Sequence, residues 1–533
     1  MAYLIGEALI KANKTLLYGG YFRLFGEIKL ANQIYKNHQD FKQVLQSLGL
    51  PYYFVPKEKN ISSLIASLNA LEETIKSMES QSKNFILEHY QEVLKWLQSK
   101  EFKESYLDTN HPYPPLLNPN RLNKESQNPY PALSYQNIPP EVAWEINLPL
   151  PKDRVLFVYW GGHGTGNTAF KCFMRRCGVL DHYCGNSKNA QETYKDLYCR
   201  ILSCSEFKQY FGYLSIRNFI DTLEGAKYYA LIPNLKSINL IRDPISSIRH
   251  YITMRRINFR GELSLEDNPY EICKKLIKYE KNSNEPSLET LEFWLNFQFM
   301  CLHDTPLYER LINLKNTIYM DMSEITGKKA FETFCKLSKT FGFNPPLQKE
   351  KNFFAQRVSR YCGLLPLTLK ISNLRNKIFK LHITSRLWEF DKRVYVNEYW
   401  NDRVYEHKEA IETKYTNITK NLLRDFFENK EERHIYILSD NYCDFIQDET
   451  LTTKASNYIQ TLFQALDKQD EIESQKKLTE QDVLDYLKSD THLKQHCKKV
   501  LDTHLSHIKS HRPDIVESWQ YYQAFEKMCA EMN

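Results

Sequence analysis

The sequence predicts an α/β fold with a parallel sheet, because three segments are each predicted as a strand that runs directly into a helix. Val155–Trp160 is an unbroken apolar run, as expected of a parallel strand that is buried on both faces. Ser237–Ile241 is a second short apolar strand, and residues 317–325 are predicted as a third. An amphipathic helix follows the third strand over residues 328–343.

Four glycines lie within residues 161–166, between the first predicted strand and its helix. Such a turn lets backbone N–H groups approach an anion, and the helix N-terminus adds its positive dipole. Gly161, Gly166 and Thr168 fit the phosphate-binding pattern G-x-x-x-x-G-K-[ST], but Asn167 stands in the place of the lysine. We predict a phosphate-binding loop that lacks the lysine used in Mg²⁺-dependent NTP hydrolysis. A glycine-rich turn that binds nothing is the alternative.

A cation follows the second predicted strand. Arg242 comes directly after it, and Asp243 and Pro244 then provide a helix cap and a first helical residue. Ligands of open α/β sheets bind at the carboxyl ends of the strands. Arg242, with Ser246 and His250 on the following helix, is therefore a candidate for binding a second phosphate. The alternative is a local ion pair between Arg242 and Asp243 beside a solvated helix face.

Residues 150–345 resemble the P-loop sulfotransferase superfamily in the order of four short motifs. In that family a strand, loop and helix hold the 5′-phosphosulfate of the donor, and a later strand ending in R-x-P holds its 3′-phosphate. The resemblance implies a P-loop-like, sulfotransferase-like core. It also implies that the donor is 3′-phosphoadenosine 5′-phosphosulfate or another nucleotide-activated molecule. The matching motifs are HGTGNT at 163–168, RDP at 242–244, YMDMSEI at 319–325 and a helix ending in Phe341-Gly342.

Two positions depart from the pattern of that superfamily. The loop lysine has no clear counterpart, and His163 and Lys171 are the nearest candidates for a cation. His250 stands where the family has the serine that binds the 3′-phosphate. Both departures concern the identity of the donor rather than the expectation of a phosphate-binding fold.

A second resemblance spans nearly the whole chain. It is to a group of uncharacterised Campylobacter- and Helicobacter-type proteins from surface-polysaccharide loci, which are labelled as sugar transferases. Some members are linked to transfer of a methyl phosphoramidate group to capsular sugars. The resemblance implies that the acceptor is a hydroxyl of a capsule or lipooligosaccharide precursor. The similar stretches are LIGEALIKANKTLLYGGYFRL, YPALSYQNIPPEVAWEINLPLPKD and SWQYYQAFEKMC.

The sequence therefore predicts a transferase that moves a sulfate- or phosphate-type group from a nucleotide-activated donor to a sugar hydroxyl, with no metal. His163 is the candidate catalytic residue because it lies in the loop, and His182 is a weaker second. Two alternatives stay open: a nucleotide-sugar glycosyltransferase, and a non-catalytic nucleotide-binding scaffold of a glycan-assembly complex. The candidate donor-binding residues are Gly162, Gly164, Thr165, Gly166, Asn167, Thr168, Arg242, Ser246 and His250.

Composition sets bounds on partners and location. The 533 residues carry a net charge of only +6, which gives no reason to expect nucleic acid as a partner. The 12 cysteines form no C-x-x-C pair, which favours reduced thiols and a cytoplasmic location. We see neither a signal peptide nor an apolar run of membrane-spanning length. A peripheral position at the inner membrane stays open.

The regions outside 153–395 are predicted to be helical or extended. Residues 1–105 begin with an amphipathic helix that fits either a membrane interface or a docked position on the protein. A heptad pattern over 61–78 fits either a homodimeric coiled coil or an internal helical hairpin. Residues 106–152 are predicted as an extended Pro/Tyr-rich linker, and residues 396–533 as a helical C-terminal region.

A basic β-hairpin is predicted over residues 351–388. Residues 351–387 carry eight Lys or Arg residues and no acid, and the stretches LTLKIS and KIFKLHIT alternate like two strands. The hairpin fits an anionic donor, an anionic glycan or lipid headgroups. The alternative is a solvated edge hairpin on which lysine protects against aggregation.

Overall fold

The computed structural model describes most of the chain between residues 78 and 531, together with scattered positions between 28 and 46. The predicted amphipathic helix at the N-terminus and the heptad pattern that precedes Met78 lie outside the described residues. Between 78 and 531 the residues left out are 123–132, 154, 184–188, 207–210, 217–219, 258–260, 297–304, 315, 357, 359–363, 385–415, 428–435 and 440–441.

The chain divides into two compact units, each built from segments that are not continuous in sequence. The boundary at Asp153 falls at the end of the predicted linker, but two later segments return to the first unit. The predicted C-terminal helical region belongs to the same unit as the parallel sheet. The first unit comprises Met1–Asp153, Ser187–Leu202 and Asp221–Pro233, and the second comprises Arg154–Asn186, Ser203–Ile220 and Asn234–Asn533.

Helices and strands alternate through the middle of the chain. Among the described residues, no helix has the length and hydropathy of a membrane-spanning segment. The described α-helices are α1 (Ser80–Glu88), α2 (Tyr90–Leu97), α3 (Lys100–Phe102), α4 (Pro119–Leu122), α5 (Pro140–Glu145), α6 (Asn167–Arg176), α7 (Ala190–Glu206), α8 (Leu223–Ala230), α9 (Pro244–Ile252), α10 (Pro269–Leu276), α11 (Leu291–Leu295), α12 (Thr305–Arg310), α13 (Lys329–Phe341), α14 (Lys351–Ala355), α15 (Thr419–Phe427), α16 (Tyr442–Ile446), α17 (Glu449–Gln475), α18 (Glu480–Ser489), α19 (Thr491–His511), α20 (Pro513–Ser518) and α21 (Gln520–Ala530). The described strands are β1 (Val155–Trp160), β2 (Val179–His182), β3 (Phe211–Ile216), β4 (Ser237–Ile241), β5 (Arg256–Ile257), β6 (Glu262–Leu263), β7 (Ile277–Lys278), β8 (Thr317–Asp321), β9 (Leu367–Ser372), β10 (Ile378–Thr384), β11 (Thr416–Asn417) and β12 (Tyr436–Ser439).

The proline-rich segment of the first unit is partly helical. The prediction of a wholly extended linker is wrong at α4 and α5, which both begin with a proline. Proline is tolerated there because the first helical N–H has no intrahelical acceptor. Buried tyrosines of α7 hold the segment. The hydroxyl of Tyr194 donates to Leu148 O (2.7 Å), and that of Tyr198 donates to Tyr135 O (2.7 Å).

The second unit contains the predicted parallel sheet. Its five strands lie in the order β2-β3-β1-β4-β8, and every neighbouring pair is parallel. In the register of the central strands, Val158 of β1 lies between Leu214 of β3 and Ser237 of β4. The prediction of a mixed α/β fold with a parallel sheet is therefore confirmed.

Helices cover both faces of this sheet. Phe157 and Tyr159 of β1 pack on one face with Phe170 of α6 and Phe334 of α13. Trp160 points to the other face, where its ring stacks on Tyr308 of α12 with 5.7 Å between the ring centroids. Burial on both faces explains why β1 is an apolar run without polar alternation.

The predicted basic hairpin belongs to a second sheet, in the order β11-β12-β10-β9-β6. Strands β9 and β10 pair antiparallel and are interior strands, whereas the alternative interpretation placed them at an edge. Their buried face packs on α17. Acids from elsewhere in the chain pair with the lysines: Glu262 lies 3.6 Å from Lys370 and 2.6 Å from Lys380, and Asp444 contacts Lys377. The predicted C-terminal helical region also contributes β11 and β12 to this sheet.

Candidate functional site

The glycine loop and Arg242 lie at the ends of two neighbouring strands. From β1 the chain continues to β2 on one side of the sheet, and from β4 it continues to β8 on the other side. The connections that leave β1 and β4 therefore diverge, which opens a crevice between the two strand ends. Open α/β sheets bind their ligands at such a position.

Close packing and left-handed backbone explain the glycines of the loop. A Cβ on Gly161 would lie 3.0 Å from the Tyr159 hydroxyl and 3.1 Å from Leu240 O. Gly164 and Gly166 have φ angles of +83° and +105°, a backbone conformation that residues other than glycine rarely adopt. The loop can therefore follow its path at the sheet edge only with glycine at these positions.

The side chains of Thr165 and Asn167, which the sequence predicts to bind the donor, instead form hydrogen bonds within the loop. Thr165 Oγ1 donates to Gly162 O (2.7 Å), and Asn167 Nδ2 donates to the same carbonyl (2.9 Å). The Tyr159 hydroxyl in turn donates to Asn167 Oδ1. These side chains hold the shape of the loop, so an anion there would meet mainly backbone N–H groups.

Several backbone N–H groups of the loop remain available. Within the described part of the chain, the amides of Gly164, Gly166, Asn167 and Thr168 donate to no acceptor. The last two belong to the first turn of α6, where amides have no intrahelical acceptor. Amides clustered at a helix N-terminus favour an anion because their dipoles point toward it.

Arg242 contacts the loop directly. Its Nη1 donates to Gly164 O over 2.9 Å. Burial and the neighbouring Arg249 lower the pKa of Arg242 below its usual value, whereas Glu480 raises it. Arginine keeps its charge in proteins even after such shifts. The structure thus brings a guanidinium to the glycine loop.

Asp243 serves as a cap for two helices. Its Oδ1 accepts from the Ile245 amide (2.9 Å) of α9, and its Oδ2 accepts from the Tyr521 (3.0 Å) and Tyr522 (3.2 Å) amides of α21. Burial raises the pKa of Asp243, although the backbone N–H bonds oppose the rise. This carboxylate therefore caps α9, as the sequence predicts, and it also caps α21, which the sequence did not reveal.

A carboxylate that the sequence analysis missed lies beside the predicted second phosphate site. Glu480 Oε1, at the start of α18, accepts from Ser246 Oγ (2.9 Å), Arg249 Nη2 (2.9 Å) and Arg249 Nε (3.2 Å). Burial acts to raise the pKa of Glu480, but the bonds from Arg249 and Ser246 outweigh it and hold the pKa below its usual value. Glu480 is therefore ionised at neutral pH.

His250 lies against the loop. A Cβ on Gly164 would be 3.1 Å from His250 Cδ2. Desolvation by the surrounding protein, together with the charges of Arg242 and Arg249, lowers the pKa of His250 to about 3. His163 and Lys477 contribute to the same shift. His250 is nevertheless exposed to solvent, so it lies against the loop as a neutral and accessible imidazole.

Two other candidates from the sequence are not brought to the loop. The ammonium group of Lys171 is 2.9 Å from the Asp181 carboxylate, and both side chains are buried, so Lys171 is not the missing loop cation. His182 is buried on β2, two strands away from β1, and a Cβ on Gly212 would overlap its ring. Among the described residues, no group of three or more His, Cys, Asp or Glu is arranged to hold a metal ion.

One family model is similar to the C-terminal part of the chain. The family described as "Protein of unknown function (DUF2972)" matches residues 319–532, about two fifths of the chain. The match includes Glu480 and α21, whereas the glycine loop and Arg242 lie before it. No curated protein matches the chain. No solved structure matches it either.

Proposed function

We propose that this protein is a transferase that moves a sulfate- or phosphate-type group from a nucleotide-activated donor to a sugar hydroxyl. The observation that carries the proposal is the bond between Arg242 Nη1 and Gly164 O at the crevice between β1 and β4. It puts a guanidinium beside amides that have no acceptor among the described residues. The same arrangement supports a P-loop-like, sulfotransferase-like core.

The donor's phosphate groups would meet two kinds of N–H donor. The amides of Gly164, Gly166, Asn167 and Thr168 would surround one group, and Arg242 would bind a second. A guanidinium has five N–H donors, so Arg242 can hold the loop and a phosphate oxygen at the same time. Fixed donors of this kind stabilise the charge that builds up on the transferred group and on the leaving group.

The acceptor hydroxyl must lose a proton as it attacks. We assign this step to His163, which lies in the loop and is half-buried. His250 is a poorer base because its lowered pKa leaves little affinity for the proton. The identity of the acceptor as a capsule or lipooligosaccharide sugar follows from the sequence resemblance, and a nucleotide-sugar glycosyltransferase remains the enzymatic rival.

One observation favours a second function, a nucleotide-binding scaffold without catalysis. Lys171 is engaged by Asp181, and Asn167 holds the loop carbonyls, so neither provides the charge that the missing lysine would supply. A site with fewer cations can bind a nucleotide yet stabilise a transition state poorly. Both functions require that the protein bind a nucleotide, but only the transferase moves a group from it to an acceptor.

Thermal unfolding with nucleotides tests the binding step. Adenosine 3′,5′-bisphosphate, CDP and UDP should be added one at a time, since a bound ligand stabilises the folded protein by roughly 2.7 kcal/mol at one hundred times its Kd. We expect a shift with at least one of them. Arg242→Ala should abolish it, and Arg121→Ala, at an exposed arginine of α4, should retain it.

The outcomes separate the functions. A shift that survives Arg242→Ala would remove Arg242 from the site. Absence of any shift would contradict both the transferase and the scaffold. If binding is seen, incubation with activated donors and an oligosaccharide acceptor, followed by mass spectrometry, distinguishes them: transfer supports the enzyme, and His163→Ala should then reduce the rate by about 10²–10⁴-fold.

A further inference from the structure

Glu480 is the feature of the site that the proposed function leaves unexplained. It comes from the start of α18, more than three hundred residues after the glycine loop, yet its carboxylate is bound by Ser246 and Arg249 of α9. Those two residues are one turn apart on the helix that follows Arg242. Glu480 therefore occupies the region that the sequence assigned to a second phosphate.

We infer that Glu480 makes the site selective for nucleotides with a free 3′-hydroxyl and weakens the binding of nucleotides with a 3′-phosphate. This inference rests on the proposed function, since it assumes that the 5′-phosphate groups bind at the loop and Arg242. Ser246 lies about one helical turn beyond Arg242, a distance comparable to that spanned by a ribose. The sugar of a nucleotide held at the loop would then face Glu480.

The charges around Glu480 favour a hydroxyl over a phosphate. Ser246 Oγ and Arg249 are already bonded to Glu480 Oε1, so a 3′-phosphate would have to compete with a carboxylate for these donors. It would also lie beside a negative charge, because the pKa of Glu480 is held low. An ionised carboxylate only accepts hydrogen bonds, which suits a ribose hydroxyl.

The geometry leaves one carboxylate oxygen for that role. All three side-chain bonds reach Oε1, and Oε2 receives no side-chain donor among the described residues. The Glu480 side chain is 15% exposed, so it is accessible at the site without being fully solvated. A like-charge contact in such surroundings is screened less than on the open surface.

Matched nucleotide pairs test the inference on the full-length protein. Isothermal titration should compare AMP, CMP and UMP with adenosine, cytidine and uridine 3′,5′-bisphosphate, respectively, because the members of each pair differ only in the 3′-phosphate. For the wild type we expect at least about tenfold tighter binding of the monophosphate, as one repulsive contact of roughly 1.4 kcal/mol predicts. Glu480→Gln should reduce this preference to about twofold or less.

A control and a fold check accompany the variant. Glu471→Gln changes the same residue type at an exposed position of α17 and should keep the wild-type preference. The wild-type ratio alone already tests the inference if Glu480→Gln does not fold. Tighter wild-type binding of the 3′,5′-bisphosphate, or an unchanged ratio in Glu480→Gln, would overturn it while leaving the proposed function in place. If no member of any of the three pairs binds, the proposed function fails, and the inference with it.

Discussion

Two ion pairs of the second unit have similar geometry and very different surroundings. Lys171 and Asp181 beside the parallel sheet are 2.9 Å apart, and their side chains are 6% and 0% exposed. Lys380 and Glu262 on the second sheet are 2.6 Å apart, and theirs are 45% and 39% exposed. When one partner is lost, water solvates the remaining exposed charge well, whereas it reaches the remaining buried charge poorly. Burial rather than distance therefore decides what each pair contributes to stability.

The largest expected effect comes from breaking the buried pair. Lys171→Met leaves the Asp181 carboxylate buried without its cation, and we expect a loss of about 3–5 kcal/mol in the free energy of unfolding. Chemical denaturation monitored by circular dichroism measures it. The double variant Lys171→Met/Asp181→Leu should recover most of the loss, because it removes both charges.

The matched exposed variant sharpens the comparison. Lys380→Met should change the free energy of unfolding by about 1 kcal/mol or less, and added salt should shrink the difference further. Equal losses for Lys171→Met and Lys380→Met would show that burial is not the deciding factor.

An effect between these two is expected at Asp243, which is buried and bound to backbone amides. Asp243→Ala removes the acceptor for Ile245, Tyr521 and Tyr522, and we expect a loss of about 2–3 kcal/mol in the free energy of unfolding. Asp243→Asn keeps one side-chain oxygen and should lose clearly less. A loss of the same size in both variants would mean that the charge, and not the hydrogen bonds, is what matters.

The smallest effect concerns Glu480, which is partly exposed and paired with Arg249. Its pKa is lowered in the folded protein, so its stabilising contribution is present above its unfolded pKa and is lost as the pH falls through its folded pKa. The difference in unfolding free energy between the wild type and Glu480→Gln should therefore be largest near pH 7 and shrink as the pH falls below about 4.5. Denaturation curves recorded from pH 7 to pH 3 provide the test. A difference that grows toward acid pH would contradict the assignment.

Local patterns predicted the part of the site that is built locally. The strand before Gly161 and the position of Arg242 after Ser237–Ile241 follow from apolar runs and from the cap at Asp243, which act over a few residues. The parallel sheet follows from the same runs, because strands without polar alternation must be covered on both faces.

The parts that the sequence did not reveal depend on contacts between distant segments. Glu480 is one acid in an ordinary amphipathic helix, and only the packing of α18 on α9 brings it to Ser246. The sequence around Lys171 does not indicate that this side chain pairs with Asp181 on β2. Likewise, the basic hairpin could be recognised from its alternation, whereas its neutralisation by Glu262 could not. The spacing of residues along the chain does not reveal which oppositely charged residue from a distant segment will pair with a given side chain.

The double cap at Asp243 joins the final helix to the strand end that carries Arg242. Any truncation that removes Tyr521 and Tyr522 withdraws two of the three amides that fix this carboxylate, one residue away from the guanidinium. Deletion of α21 should therefore weaken anion binding, even though α21 contributes no residue to the proposed anion site. Shortened versions of the chain made for crystallisation would best preserve α21.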